Sequence, residues 1–223
     1  MVEAVEKKVA KYWSFFYRGT QVVLWVYYKI AFKFKAYGTK NFPKDSRGVI
    51  LAPNHASYLD PPLLGISLKP PITYLAKDYL FKPFFLGLAL RWIGCIPIKT
   101  EADDFRSIRQ LVRELKSGKN ILIFPEGTRS DNGEIKEPEM GVGFLALKSG
   151  AHVLPVYIRG TYKAFPKGAK HFTYSPVSLY FGKAFIPAHD PELTGDKEPY
   201  LAVSRKIMAE IKKLKEAAEQ KDL

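Results

Sequence analysis

Short apolar runs alternate with amphipathic stretches along most of the chain. Apolar runs that end in polar loops are typical of buried strands, and apolar residues spaced i, i+3, i+4, i+7 are typical of helices. The predicted strands lie at 48–55, 72–77, 95–99, 120–127, 152–160 and 177–186. The predicted helices lie at 61–68, 81–94, 104–118 and 141–150, and near the C-terminal end, where Val203, Ile207, Ile211 and Leu214 share one face. This alternation predicts an α/β fold with a mixed, largely parallel central sheet covered by helices on both faces.

The segment before these elements has a different pattern. Residues 11–35 are KYWSFFYRGTQVVLWVYYKIAFKFK, dense in aromatic residues and interrupted by cations. A membrane-spanning helix needs about 20 consecutive apolar residues, whereas the apolar run at 19–28 is bracketed by Arg18 and Lys29. As a helix, the segment carries a basic stripe that includes Lys11, and the remaining circumference is mostly aromatic and aliphatic.

Aromatic rings beside cations suit the interface of an anionic membrane. We therefore predict an N-terminal amphipathic helical membrane-interface segment at 1–36, followed by an α/β domain at 37–223 that ends in an amphipathic helix. The alternative is a helix packed on the protein's own core. The predicted membrane contacts are Trp13, Phe16, Arg18, Trp25, Lys29 and Lys33.

Composition narrows the classes of partner. The formal net charge is +13, which indicates an anionic partner. No nucleic-acid recognition signature accompanies the charge, and nucleic-acid binding does not explain the aromatic segment. Cys95 is the single cysteine, so an internal disulfide is excluded, and the four histidines show no zinc-type pairing. We predict no metal site.

The stretch PNHASYLDPP at 53–62 follows a predicted strand and contains the first candidate chemistry. Asp60 is a favoured helix N-cap, with Pro61 at the first helical position. His55 is a candidate general base, because a carboxylate on one ring nitrogen leaves the other free to accept a proton. Residues five apart do not meet across a regular helix, but they do meet if 55–59 form a turn. The capping and catalytic interpretations are therefore compatible.

A second polar stretch, FPEGTRS at 124–130, also follows a predicted strand. Ligands of such sheets bind where strands end in loops. A glycine turn with free amides, hydroxyls and Arg129 suits a phosphate. The alternative is a solvated loop in which Arg129 pairs with Glu126.

NHASYLD, then FPEGTRS, then LPVYIRGT resembles the bacterial 1-acylglycerol-3-phosphate (lysophosphatidic acid) acyltransferase family of HxxxxD glycerolipid acyltransferases. The resemblance spans about residues 36–187, and it includes YLAKDYLF at 74–81 and YFGKAFI at 180–186. It implies transfer of a fatty acyl group to the sn-2 hydroxyl of lysophosphatidic acid, giving phosphatidic acid in phospholipid biosynthesis. It further implies acyl-CoA or acyl-carrier protein as the donor, no cofactor, and a place on the cytoplasmic face of the inner membrane.

The resemblance assigns catalysis to His55 and Asp60. It assigns the acceptor phosphate to the FPEGTR loop, namely Glu126, Gly127, Thr128 and Arg129. A serine nucleophile at Ser57 is not favoured, because the G-x-S-x-G elbow is absent.

Two positions depart from the family pattern. Thr100 stands where the second motif usually has an arginine, and Glu139 where a lysine is common. Lys77 and Lys99 are therefore added as candidates for holding the phosphate. The departures leave glycerol 3-phosphate or another lysophospholipid open as acceptor. A non-catalytic basic membrane scaffold is the alternative of a different class.

Overall fold

The computed structural model describes residues 18–44, 48–93, 95–98, 104–194 and 198–220. Within these residues the strands are β1 Lys35–Tyr37, β2 Val49–Pro53, β3 Ile72–Thr73, β4 Leu75–Lys77, β5 Ile96–Ile98, β6 Asn120–Leu122, β7 His152–Arg159 and β8 Ser178–Phe181. The helices are α1 18–32, α2 Asp60–Ser67, α3 Phe84–Trp92, α4 Asp104–Lys116, α5 Met140–Ser149, α6 Thr161–Ala164, α7 Pro191–Thr194 and α8 Pro199–Gln220.

Six strands form one sheet in the order β1-β8-β7-β2-β6-β3. Every neighbouring pair is parallel except β7 and β8. The strands β4 and β5 form a separate parallel pair. The prediction of an α/β fold with a largely parallel sheet is confirmed.

The central strands are buried on both sides. In β2, Val49 and Leu51 face a core cluster that contains Tyr28 and Phe32 of α1 and Leu63 of α2. The alternate residues of β2 face a second cluster built with α4, α5 and α8. Apolar residues on both faces of a strand are the pattern of parallel sheets covered by helices. The described helices therefore lie on both faces, with α1 and α2 on one and α8 on the other.

Several predicted strands are shorter in the structure, among them 177–186, of which only Ser178–Phe181 form β8. Two others change at identifiable points. The run 72–77 breaks at Tyr74, whose carbonyl accepts a hydrogen bond from Ile96 N at 2.8 Å, so the chain leaves β6 and joins β5. The run 120–127 ends at Leu122, because residues 124–127 form a turn closed by Gly127 N and Phe124 O at 3.1 Å.

Residues 18–37 are joined to the domain through α1 and β1. Packing of one side of α1 on the core agrees with the alternative that the sequence left open, whereas the pairing of β1 was not predicted. Strand β1 is exposed, yet it pairs in parallel with β8, with Lys35 opposite Ser178. Tyr28 and Phe32 are each only 2% exposed and belong to the core. The other side of α1 is open to solvent. Among the described helices, none is both long and apolar enough to cross a bilayer. The anchor role of this segment stays a prediction.

Candidate active site

Two neighbouring parallel strands bring the two motifs together. β2 leads into His55, and its neighbour β6 leads into the FPEGTR loop. His55 N donates to Glu126 Oε1 at 2.8 Å, and Ser130 N donates to His55 O at 2.8 Å. The backbone of His55 is therefore held on both sides by the second loop, as the shared sheet edge predicts.

The His55 and Asp60 side chains are hydrogen bonded. His55 Nδ1 lies 2.8 Å from Asp60 Oδ2. The same oxygen accepts the N–H groups of Ala56 and Ser57, each at 2.8 Å. Asp60 is fully buried, whereas 15% of the His55 side chain is exposed. Because Asp60 accepts at Nδ1, the hydrogen-bond network assigns the proton to that nitrogen and leaves Nε2 as the basic atom.

Asp60 is not the helix N-cap, so that prediction is wrong. Leu59 occupies the N-cap position of α2, and Asp60 is the first helical residue, which makes Pro61 the second. The reason is that the Asp60 carboxylate turns back to the N–H groups of the preceding turn. The predicted turn at 55–59 is present, and it is organised around this carboxylate.

The imidazole of His55 stacks on Phe124. The ring centroids are 3.6 Å apart and the planes differ by 14°. Together with the bond to Asp60, this contact fixes the plane of the ring as well as its rotation. Sequence reasoning did not assign Phe124 a role, although its place at the start of the second motif was a usable signal.

The buried side chain of Glu126 connects the two loops. It is 3% exposed, and its second carboxylate oxygen accepts Lys136 N at 2.9 Å. Burial raises the pKa of Glu126, and the two backbone N–H donors partly offset that rise. Both oxygens are thus engaged by backbone, so Glu126 does not serve as the counter-ion of Arg129 that the solvated-loop alternative requires.

Arg129 lies on Tyr58, a residue from inside the first motif. The guanidinium carbon is 3.5 Å from the Tyr58 ring centroid. Nη1 of Arg129 is buried and has no hydrogen-bond partner. A stacked guanidinium with an unused donor is suited to an anionic group. Sequence analysis assigned Tyr58 no role, because only His55 and Asp60 of the first motif were assigned a catalytic function.

The turn of the second motif depends on a glycine. Gly127 has φ +66°, and a Cβ at this position would collide with the Glu139 carboxylate. Glu139 N donates to Pro125 O at 2.8 Å. Glu139, which stands where the family commonly has a lysine, therefore contacts this loop directly. Thr128 is exposed.

Of the two remaining lysine candidates, the structure describes Lys77. Lys77 is exposed and ends β4, in register with Ile98 of β5. Lys99 and Thr100 lie outside the described residues, as do Trp13 and Phe16.

Neither Ser57 nor Cys95 is arranged as a nucleophile. The Ser57 hydroxyl is buried, donates to Phe165 O at 2.7 Å and accepts Leu59 N at 3.1 Å. Burial raises the pKa of the Cys95 thiol to about 11, so the thiolate is scarce near neutral pH. Among the described residues, no group of His, Cys, Asp and Glu side chains could hold a metal ion.

Comparison with known proteins gives the family. The pattern of the family described as Acyltransferase matches residues 33–159, more than half of the chain. The chain belongs to this acyltransferase family. A chloroplastic 1-acyl-sn-glycerol-3-phosphate acyltransferase of Arabidopsis thaliana is 30% identical over 166 residues, 73% of this chain and 43% of its own. The 1-acyl-sn-glycerol-3-phosphate acyltransferase of Bacillus subtilis is 29% identical over 188 residues, 83% of this chain and 90% of its own.

The fold of a solved acyltransferase is also similar. The crystal structure of the 1-acyl-sn-glycerophosphate acyltransferase PlsC from Thermotoga maritima superposes with a TM-score of 0.73 at 27% identity, covering 98% of this chain and 83% of that one. The chain spans about half the length of several of the curated relatives it matches.

Proposed function

We propose that the chain is a 1-acylglycerol-3-phosphate O-acyltransferase. It moves a fatty acyl group from an acyl thioester to the sn-2 hydroxyl of lysophosphatidic acid and so forms phosphatidic acid. The observation that carries the proposal is the hydrogen bond between His55 Nδ1 and Asp60 Oδ2 at 2.8 Å, beside an Arg129 with an unused donor. The names of its relatives support the same activity.

In this mechanism His55 is the general base. An alcohol is a weak nucleophile toward a thioester until its proton is removed, and a positioned imidazole typically contributes 10²–10⁴ in rate. Nε2 takes the hydroxyl proton as the oxygen attacks the thioester carbonyl. Asp60 stabilises the imidazolium that forms and keeps the second proton on Nδ1. The bond between the carbonyl carbon and sulfur then breaks, the imidazolium gives its Nε2 proton to the departing thiolate, and CoA or acyl-carrier protein leaves as the thiol. No cofactor takes part.

The FPEGTR loop holds the acceptor. Arg129 donates to the phosphate, with Gly127 and Thr128 at the exposed side of the turn and with Lys77 and Lys99 as further cations. Glu126 acts through the backbone, because its carboxylate fixes His55 and Lys136 relative to one another. A phosphate held in this way places the hydroxyl at His55, and such positioning supplies several kcal/mol of the barrier.

The reaction takes place at a membrane surface. Arg18, Trp25 and Lys29 are exposed on α1, Lys33 is exposed directly after it, and Lys29 Nζ lies 5.2 Å from the Trp25 ring centroid. We assign residues 1–36 to the interface and 37–223 to the acyltransferase domain, on the cytoplasmic face of the cell membrane. Tyr28 and Phe32 fix this segment to the domain core.

Acyl transfer by the purified protein in detergent micelles tests the proposal. Labelled acyl donor is offered with lysophosphatidic acid or with glycerol 3-phosphate, using native protein and His55→Ala. We expect phosphatidic acid from the native protein and at least about a hundredfold less from the variant. Activity that survives in His55→Ala would place the chemistry elsewhere. Product from glycerol 3-phosphate alone would keep the mechanism and change the acceptor.

A further inference from the structure

The loop that joins α6 to β8 presents aromatic residues to solvent. We propose that residues 165–174, the aromatic loop, form a second contact with an anionic phospholipid surface, beside α1. The inference rests on the proposed function only in placing the protein at a membrane. It assigns a binding role to a segment that the motifs do not include.

The exposed rings of the aromatic loop are held in place. Phe172 is 56% exposed and Tyr174 is 59% exposed. The Phe172 ring packs on Phe165 with centroids 4.4 Å apart, and Thr173 N donates to Ala164 O at 2.8 Å at the base of the loop. Ordered aromatic rings facing water leave apolar surface that a lipid headgroup region can cover.

The aromatic loop is continuous with the open side of α1. Tyr27, 46% exposed on α1, packs on Phe32 with centroids 5.9 Å apart. Phe172 packs on the same Phe32 ring at 6.2 Å. Lys33 Nζ lies 5.8 Å from the Tyr174 ring centroid. Exposed rings from both segments therefore meet around one buried phenylalanine and form a single surface.

The charges on this surface favour an anionic lipid. Lys163, Lys167, Lys170 and His171 are exposed in or beside the loop, and Lys167 shares Asp131 with Lys136. Near α1 the exposed apolar residues include Ile30 at 76%. Cations alone would suit an acidic carrier protein, whereas cations combined with rings and aliphatic side chains suit headgroups and the upper acyl region.

A hydrogen bond ties the aromatic loop to the catalytic turn. Ser57 Oγ donates to Phe165 O at 2.7 Å, and Ser57 N donates to Asp60. A lipid surface against Phe172 is thus held at a fixed distance from His55. An acceptor whose acyl chain stays in the bilayer needs this fixed distance between the lipid surface and His55.

Depth-dependent quenching of a fluorescent label tests the contact. The label is placed on Phe172→Cys and, as a matched control, on Lys213→Cys, each in a full-length Cys95→Ser background. Lys213 lies on α8, on the opposite face of the sheet, and 65% of its side chain is exposed. The vesicles contain phosphatidylcholine and phosphatidylglycerol, with or without brominated acyl chains.

We expect brominated lipid to quench the label at 172 at least about twofold more than the label at 213. Equal quenching at both positions on vesicle-bound protein would overturn the inference. Sedimentation with the same vesicles provides a second measurement. Phe172→Ser with Tyr174→Ser is expected to lower the partition coefficient about tenfold, and an unchanged coefficient would argue against the contact. Binding to acyl-carrier protein in place of vesicles would also overturn it.

Acyl transfer in micelles separates this inference from the proposed function. The Phe172→Ser/Tyr174→Ser protein is expected to keep a near-native midpoint of denaturant unfolding, which shows that the fold is intact. If native protein shows no transfer while the label at 172 is still quenched, the proposed function fails and the lipid contact stands. If transfer is present and quenching at 172 is absent, the lipid contact fails and the proposed function stands.

Discussion

The two motif loops differ in the kind of polar atom that is left without a hydrogen-bond partner. In the turn at 54–60, the side chains of Asn54, His55, Ser57 and Asp60 each have a partner within the protein, and the atom left over is an acceptor, the buried Asp60 Oδ1. In the loop at 124–130, Glu126 is equally engaged, but Arg129 keeps a buried Nη1 without a partner.

Under the proposed mechanism, the first loop supplies the general base and the second loop binds the acceptor. A general base needs its ring, tautomer and carboxylate fixed before substrate arrives, and internal hydrogen bonds achieve that. A binding donor must remain available, and the stack of Arg129 on Tyr58 orients the guanidinium without using its N–H groups. Loss of the His55–Asp60 pair should therefore lower kcat, and loss of Arg129 should raise the acceptor KM.

Asp60→Asn should give the largest effect. The amide oxygen in the place of Oδ2 can still accept from Ala56, Ser57 and His55, but it has no negative charge with which to stabilise the imidazolium. We expect kcat in the micellar assay to fall by about 10²–10⁴, with the acceptor KM changed little. Ser57→Ala is the matched control, because it removes only a hydroxyl and is expected to keep more than about a tenth of native kcat. Loss of activity in Ser57→Ala alone would favour an acyl-serine.

Arg129→Ala should act mainly on the acceptor. Losing a charged donor to a phosphate costs about 1.5–3 kcal/mol, so we expect the KM for lysophosphatidic acid to rise about tenfold to a hundredfold. The KM for the acyl donor should change much less. Steady-state kinetics with each substrate varied in turn measure both constants. Arg129→Lys should recover only part of the loss, because a lysine lacks the planar pair of donors. Equal rises in both KM values would contradict the phosphate role.

Tyr58 should show a smaller effect of the same kind. Exposed cation–π contacts contribute about 0.5–1 kcal/mol, and Tyr58 is 59% exposed. Tyr58→Ala is expected to raise the acceptor KM about two- to fivefold, with kcat retained. Tyr58→Phe keeps the ring and should be close to native. If Tyr58→Phe were as impaired as Tyr58→Ala, the hydroxyl and not the stack would be the source of the effect.

Glu126 should affect stability in a pH-dependent manner. Burial raises its pKa in the folded state, so the folded protein binds this proton more tightly than the unfolded chain. The resulting stabilisation is complete below the unfolded pKa and is lost as the pH rises through the folded pKa. Denaturant titrations at a series of pH values measure the free energy of unfolding. They should show that Glu126→Gln lacks this pH-dependent stabilisation.

A second glutamate gives the opposite sign as a control. The hydrogen bond from Lys215 lowers the pKa of exposed Glu134. Its contribution is present above the unfolded pKa and is lost as the pH falls through the folded pKa. Glu134→Gln should therefore lower the free energy of unfolding at the higher pH values, where this contribution is present. Identical pH dependence in native protein and Glu126→Gln would contradict the burial argument.

Sequence patterns predicted the parts of the fold that repeat a local rule. The apolar run before His55 and the one before FPEGTR became β2 and β6, and their adjacency followed from strand ends in a parallel sheet. The His55–Asp60 pair followed from side-chain chemistry combined with a turn.

The remaining features depend on distant partners. Strand β1 is a short exposed stretch that exists because β8 pairs with it. Asn54 continues the ladder between β2 and β7 through its side chain, with Nδ2 donating to Ile158 O and Oδ1 accepting Ile158 N. The stacks on Phe124 and Tyr58 join residues from both motifs. No local pattern carries that information.

The pairing of β1 with β8 also sets an order of events during synthesis. The partner of Lys35 is Ser178, roughly 140 residues later in the chain. At about 5–20 residues per second, a ribosome needs on the order of 7–28 s to make that stretch. For this interval Phe32 and Phe34 exist without Val177 and Leu179, which share their core cluster. A nascent chain with unpacked aromatic residues and nearby lysines has time to meet a bilayer before it meets its own sheet.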